Sequence, residues 1–389
     1  MSNTQKKNVP ELRFPGFEGE WEEKKLGEVA KIYDGTHQTP KYTNEGIKFL
    51  SVENIKTLNS SKYISEEAFE KEFKIRPEFG DILMTRIGDI GTPNIVSSNE
   101  KFAYYVSLAL LKTKNLNSYF LKNLILSSSI QNELWRKTLH VAFPKKINKN
   151  EIGKIKINYP KKQEQQKIGQ FFSKLDRQIE LEEQKLELLQ QQKKGYMQKI
   201  FSQELRFKDE NGNDYPEWEE RRFADIFKFH NKLRKPIKEN LRVKGSYPYY
   251  GATGIIDYVD DFIFDGNYLL IGEDGANIIT RSAPLVYLVN GKFWVNNHAH
   301  ILSPLNGNIQ YLYQVAELVN YEKYNTGTAQ PKLNIQNLKI ISVVISTNLE
   351  EQQKIGSFLS KLDRQIDLEE QKLELLQQRK KALLKLMFV

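Results

Sequence analysis

The sequence contains no cysteine. Disulfides, thiolate metal sites and a cysteine nucleophile are therefore excluded, and a reducing compartment is the natural setting. No run of about eighteen apolar residues occurs, so no segment can cross a bilayer as a helix. The opening MSNTQKKNVPELRF carries charge without an apolar core and does not read as a secretory signal. A soluble, cytoplasmic protein without membrane contact is expected.

Catalytic equipment is equally scarce. No Gly-rich phosphate loop ending in Lys-Ser or Lys-Thr is present, and no Gly-x-Gly-x-x-Gly opens a strand-helix unit. The absence of any Pro-Pro pair removes the Asn/Asp-Pro-Pro-aromatic loop of adenine methylation. His298 and His300 flank one alanine in WVNNHAHIL and read as a strand with both rings on one face rather than as metal ligands. Asp260, Asp261 and Asp265 lack a matching Glu-x-Lys and read as loop charge. The expectation is a chain with neither metal nor catalytic residues, needing no cofactor of its own.

Positive charge is abundant. The 389 residues carry a formal charge of +9, concentrated in two segments. Arg136 to Lys162 holds nine basic residues against Glu151, and Lys228 to Lys244 holds seven against Glu239. Clustered Lys and Arg release counterions from phosphates, so two contacts with a polyanion are expected; two solvated basic faces are the plain alternative.

The strongest feature is a repeat. QEQQKIGQFFSKLDRQIELEEQKLELLQQQKKGYMQKIF, around Glu164 to Phe201, returns at an offset of 187 from Glu351 to Phe388. Pro144-Lys145 meets Pro331-Lys332 at the same offset. ELRF at Glu11 with Trp21-Glu22-Glu23 returns as ELRF at Glu204 with Trp218-Glu219-Glu220. Between these landmarks the halves barely resemble each other, and both are short apolar runs broken by Gly, Asn and Pro. The expected fold is α+β, with two mixed α/β modules joined by two long helices. The boundaries are 1–160 for the first module, 161–203 for a central helix, 204–346 for the second module and 347–389 for a C-terminal helix.

Each long helix carries a heptad seam. Ile168, Phe172, Leu175, Ile179, Glu182, Leu186, Leu189, Lys193, Tyr196 and Ile200 alternate by four and three, as do Ile355, Leu359, Leu362, Ile366, Glu369, Leu373, Leu376, Lys380, Leu383 and Met387. A Glu and a Lys in an apolar seam are costly unless paired. An antiparallel coiled coil whose paired numbers sum to 562 sets Glu182 on Lys380, Lys193 on Glu369, Leu186 on Leu376 and Leu189 on Leu373. A parallel register opposes like charges. About 35 residues at about 1.5 Å each make a ruler of about 50 Å, roughly fifteen base-pair steps. Leu181, Leu188, Leu368 and Leu375 lie beside the seam and widen it, for a further helix or for the chain's own modules.

The polar loops suit reading rather than reacting. In the first half DGTHQTPKY offers Thr36, His37, Gln38, Lys41 and Tyr42, joined by Arg86 and by His140, Lys145 and Lys146 of KTLHVAFPKK. In the second half the candidates are Tyr249, Tyr250, Thr253, Asn277, Asn297 and His298, with Thr328, Gln330 and Lys332 of the loop before the second helix. Ordinary loop hydrogen bonding competes with this reading at each position.

Taken together, the WEEKKLGEV opening (Trp21 to Val29), its partner at Trp218, and EQQKIG at Glu164 and Glu351 resemble the specificity subunit of bacterial type I restriction-modification systems. The resemblance covers essentially the whole chain. It implies two target-recognition domains reading the halves of a split site in double-stranded DNA, with spacer helices setting the gap. It further implies a noncatalytic subunit that holds two methyltransferase subunits and, through them, restriction and translocase subunits. S-adenosylmethionine, ATP and magnesium would belong to those partners. A self-contained nuclease or methyltransferase and a basic protein scaffold are the competing readings.

Overall fold

A computed structural model describes residues 8–113, 115–327 and 330–389. It divides into two compact units. The first takes the chain up to Gln184 and again from Gln371 to Val389, and the second runs from Lys185 to Glu370. The sequence divides the chain into four consecutive segments, whereas here each unit takes part of both long helices.

In the first unit an antiparallel sheet is built in the order Ala30–Asp34, Leu108–Thr113, Ile82–Ile87, Asp89–Ile95. Its central strands carry the unbroken apolar runs Ile82–Met84 and Leu108–Leu111 because both faces are covered there. Alternation decides the partner: Ile82 and Met84 join Phe120, Leu124 and Phe172 on one face, and Leu83 joins Leu50, Ile55 and Tyr104 on the other. A three-stranded sheet, Tyr63–Ile64, Ile47–Leu50, Phe102–Tyr104, lies beyond that second face. In the second unit a six-stranded mixed sheet follows the same logic. Leu269 and Ile271 pack with Tyr311 and Leu312, and Leu270 with Phe264, Val295 and Ile301.

A common frame holds these dissimilar sheets. Glu22–Lys25 pairs antiparallel with Lys156–Tyr159, and Glu219–Arg222 with Ser342–Ile345. The repeated motifs build the rest. Arg13 of the first ELRF forks onto both oxygens of buried Glu164 at 2.7 Å, and Arg206 of the second reaches Glu351, which also accepts from the Trp218 indole at 3.0 Å. The next residue is a staple. Gln165 accepts the Asn117 N–H and donates to the Pro160 carbonyl, while Gln352 accepts from Asn308 and donates to Ser346. Asn117 and Asn308 in turn cap the helices Ser118–Leu126 and Ile309–Glu317 through the N–H groups of Phe120 and Tyr311. The glycine of each EQQKIG lets these caps approach. A Cβ on Gly169 would stand 2.5 Å from Asn117 Oδ1, and one on Gly356 2.5 Å from Asn308 Oδ1.

The first long helix is Lys162–Phe201 and the second Leu349–Leu386. In each unit the end of one of them is clamped by aromatics. Phe388 lies against Trp21, Phe120 and Phe172 in the first unit, and Phe201 against Trp218 and Tyr311 in the second. Burying one such ring is worth about 2 kcal/mol.

Within each unit the two helices run antiparallel, and their seam residues are the less exposed ones apart from Tyr196. The charged pairs differ from those read off the heptads. Glu182 pairs with Lys372, eight positions before Lys380, and Lys380 reaches Asp176 at 2.7 Å. Lys193 pairs with Asp363, six positions before Glu369, and Glu369 takes Lys185. The reason lies outside the seam. Asp176 is fixed by Lys122 at 2.9 Å and Asp363 by Gln314 at 2.7 Å, so the globular part of each unit positions the acid that the seam lysine finds. Leu186, Leu189, Ile366 and Leu373 are half-buried and Leu376 buried; Ile179 packs on the first unit's core.

Candidate nucleic-acid interface

The loop from Gly35 to Tyr42 leaves the strand that ends at Asp34. Gly35 is required there, since a Cβ would stand 2.4 Å from the Tyr104 carbonyl. His37, Gln38, Lys41 and Tyr42 are exposed, and Tyr42 rests edge-on against Phe49. Thr36 turns inward: its N–H donates to Tyr104, its carbonyl accepts from Val106, and its hydroxyl closes a local turn with Gln38. A second loop, Leu139 to Lys146, is pinned at its base by Leu139 donating to the Lys146 carbonyl and Gly88 donating to that of Lys145. His140 lies on Trp135 with ring centroids 4.3 Å apart, and Lys145 Nζ stands 4.6 Å over the same indole. Lys146 is exposed.

Arg86 joins these two loops from below. Its guanidinium pairs with Asp34 and donates from Nε to the Ile147 carbonyl at 3.1 Å, and Lys149 adds a contact to Asp34 at 3.2 Å. At 5% exposure Arg86 cannot reach a duplex. It positions the loops instead of contacting the ligand, which corrects the expectation for this residue.

The second unit places Glu273 at the same station. Leu333 donates to the Glu273 carbonyl as Ile147 donates to that of Arg86, and Gly275 donates to Pro331 as Gly88 does to Lys145. Glu273 takes Arg234 at 2.5 Å and Lys332 at 3.5 Å. Arg234 also donates to the carbonyls of Asn297 and Ala299. The Asp274 carboxylate accepts from the His298 ring at 2.7 Å, and the His298 carbonyl accepts the Glu273 N–H. Exposed Asn297, His298 and Lys332 thus lie beside one half-buried ion pair, Gln330 is exposed in the loop that leads to Lys332, and Thr253 is exposed at the turn Gly251 to Gly254. Thr328 lies outside the described residues.

This pairing also corrects the alignment of the loops. Lys146, not Lys145, is the counterpart of Lys332, because both sit one residue before the donor to the shared carbonyl.

Three further candidates are structural. Tyr249 is 1% exposed and accepts the Ile237 N–H at 2.9 Å under the Arg242 guanidinium. Buried Asn277 spends its amide on Ala283 and Pro284. Tyr250 is half-buried against Phe293. Their polar character reads like a contact residue in sequence, but Tyr249 and Asn277 spend their polar groups inside the fold and the Tyr250 ring packs on the core. The two histidines do not share a strand face: His298 precedes the strand Ala299–Pro304 in an exposed turn, and His300 is buried within it.

The first basic segment is partly spent internally. Arg136 meets Glu133, Lys154 meets Glu151 and Lys156 meets Glu23, while Lys145 and Lys146 stay at the loop. In the second segment Lys232, Lys235 and Lys238 are exposed. Among the described residues no cluster of acids and histidines could hold a metal, and no helix is long and apolar enough to cross a membrane.

Two units with one frame and different loops at one station match a known organisation. A family model described as the type I restriction modification DNA specificity domain matches residues 18–191 and again residues 215–378. The chain belongs to this family.

A putative type I restriction enzyme specificity subunit of Haemophilus influenzae is 36% identical over 116 residues, 30% of this chain and 30% of that protein. The EcoprrI specificity subunit of Escherichia coli is 31% identical over 118 residues, 30% of this chain and 28% of its own length. These matches span less than a third of either relative. The crystal structure of a type I restriction-modification S subunit from M. genitalium covers 98% of this chain and 99% of its own, with a TM-score of 0.73 at 18% identity, and so shares the fold. Specificity subunits are noncatalytic, and methyl transfer and cleavage sit in other subunits of such systems.

Sequence reasoning missed Arg234, Glu273, Trp135 and Phe143. The pair Arg234–Glu273 joins residues far apart in sequence, and Phe143 follows no periodicity. The loop KTLHVAFPKK was itself visible, and its aromatic content was the available signal.

Proposed function

We propose that this specificity subunit reads a bipartite site in double-stranded DNA, one part through each unit, and anchors two adenine-N6 methyltransferase subunits. The observation that carries this reading is one frame, repeated in both units, that anchors different exposed loops at the same station, with Lys145 and Lys146 in the first unit and Gln330 and Lys332 in the second. The same scaffold then presents different side chains to different base pairs. Lys41, Lys145 and Lys146, and in the second unit Lys332 with Lys232 and Lys235, supply phosphate contacts. His37, Gln38, Asn297, His298 and Gln330 supply base contacts.

The paired helices set the unread spacer. Exposed Leu181, Leu188, Leu368 and Leu375 are the docking points for the methyltransferase subunits, which recruit restriction and translocase subunits in a cytoplasmic complex. This chain binds no cofactor; S-adenosylmethionine, ATP and magnesium belong to the partners. An adenine flipped from the duplex would reach the partner's active site, not this chain.

The test is co-expression with the cognate methyltransferase followed by sequencing of methylated adenines. A two-part motif with a fixed gap is expected, and a four-residue insertion in both helices should change the gap while leaving both half-motifs intact. Methylation at a single uninterrupted motif would overturn the reading. Replacing the four leucines with serine should abolish co-purification of the methyltransferase while leaving the thermal unfolding of the chain unchanged.

A further inference from the structure

The loop Leu139 to Lys146 carries two apolar side chains that touch nothing. Val141 is 98% exposed and Phe143 104% exposed. A single exposed phenylalanine is unremarkable, but two apolar side chains two residues apart on a pinned loop cost hydrophobic free energy with no return inside the fold. The loop base is rigidly tied, by Leu139 and Ile147 donating to Lys146 and Arg86 and by Gly88 donating to Lys145. Its flanks are cationic: Lys145 over Trp135, exposed Lys146, and exposed Arg136 at the end of the preceding helix. The acids beside it are engaged, Glu133 by Arg136 at 2.8 Å and Asp89, next to Gly88, by the Thr85 hydroxyl at 3.1 Å.

Cations around a projecting aromatic ring fit a duplex better than an apolar protein groove. Lysines at the base of the loop can hold two phosphates while the ring reaches past them to the base stack. Apolar wedges of this kind unstack a base step and kink the helix. We propose that Phe143 is such a wedge: with Val141 beside it, it enters the DNA base stack at the part of the site read by the first unit. The corresponding loop of the second unit, Gly327 to Pro331, has the sequence GTAQP and offers no aromatic ring. The deformation is therefore confined to one half-site, and there it reads sequence through the ease of unstacking as well as through base edges.

The inference rests on the DNA reading above. Its test uses the full chain with its methyltransferase subunits and a duplex bearing the methylation-mapped site, with 2-aminopurine placed in turn at each non-target position of the first half-site. Wild type should brighten one position several-fold. Phe143→Ala should lose that signal and bind about tenfold more weakly, and Phe143→Leu should restore it. Specific binding without brightening, or brightening that survives Phe143→Ala, overturns the wedge and leaves the DNA reading standing. Loss of methyltransferase co-purification with the fluorescence signal intact makes the loop a protein contact and likewise overturns it. Absence of any site-specific binding by the wild type removes both.

Discussion

The carbonyl of Arg86 accepts the Ile147 N–H at 3.0 Å, and that of Glu273 accepts the Leu333 N–H at 2.7 Å. Two side chains of opposite charge thus leave the backbone at the same station in the two units. Each finds its counterion on a different segment, Asp34 in one case and Arg234 in the other. The ion pair is kept while its polarity is reversed, so the station is a loop anchor and not a charge offered to DNA.

Removing one member of such a pair strands the other. Arg86→Ala leaves Asp34 with only Lys149 and should cost about 3 kcal/mol of unfolding free energy. Replacing both partners, Arg86→Met with Asp34→Leu, should recover most of the loss. Urea unfolding of the two variants measures this, and equal destabilisation by the single and double changes would count against a paired anchor.

The seam charges allow a sharper test. Lys193→Glu faces Asp363 and should lower stability by about 1–2 kcal/mol. Asp363→Lys added to it should restore part of the loss, although Gln314 then loses its acceptor. Glu369→Lys added to Lys193→Glu should restore nothing. The reverse outcome in a double-mutant cycle would favour the register in which Lys193 faces Glu369.

How far the sequence could be read follows from these two cases. The seam, the duplicated opening and EQQKIG were legible because helical spacing and repetition survive in one dimension. The partners of the seam charges were not, since Asp176 and Asp363 lie beside the seam and are fixed by Lys122 and Gln314 from the globular parts. Charge type alone likewise cannot separate Arg86, neutralised beneath two loops, from Lys146 above them. The loop alignment slipped by one residue for a simple reason. The offset is 186 at the helix caps Asn148 and Asn334 and becomes 187 by Gln165 and Gln352, so the added residue lies after the loop.

The glycines of the frame separate packing from helix propensity. Gly169→Ala places a methyl group 2.5 Å from Asn117 Oδ1 and 3.1 Å from the Phe120 amide, and should destabilise by about 1–3 kcal/mol. Gly195→Ala in the same long helix meets nothing within 4 Å and should stabilise by about 1 kcal/mol. Thermal unfolding of the two variants should shift in opposite directions.

Acid should loosen the second unit through His300. Its Nε2–H donates to the Leu333 carbonyl at 2.7 Å and its Nδ1 accepts from the Asn231 amide at 2.7 Å, so the neutral ring is fully satisfied. Burial holds its pKa below the ordinary 6.5. The unfolded chain therefore binds the proton first, and the stability His300 contributes is whole above about pH 6.5 and falls as the pH drops below it. Burial alone would raise the neighbouring Glu273 carboxyl, but the Arg234 hydrogen bond and the charges of Arg234 and Lys332 outweigh it and hold the pKa below the ordinary 4.5. Its contribution is lost only at lower pH, in the same direction. Melting temperatures of the wild type should fall from pH 7.5 to 5.5, and the fall should be shallower in His300→Gln, which has no proton to take up. A parallel fall in both proteins would show that His300 is not the group responsible.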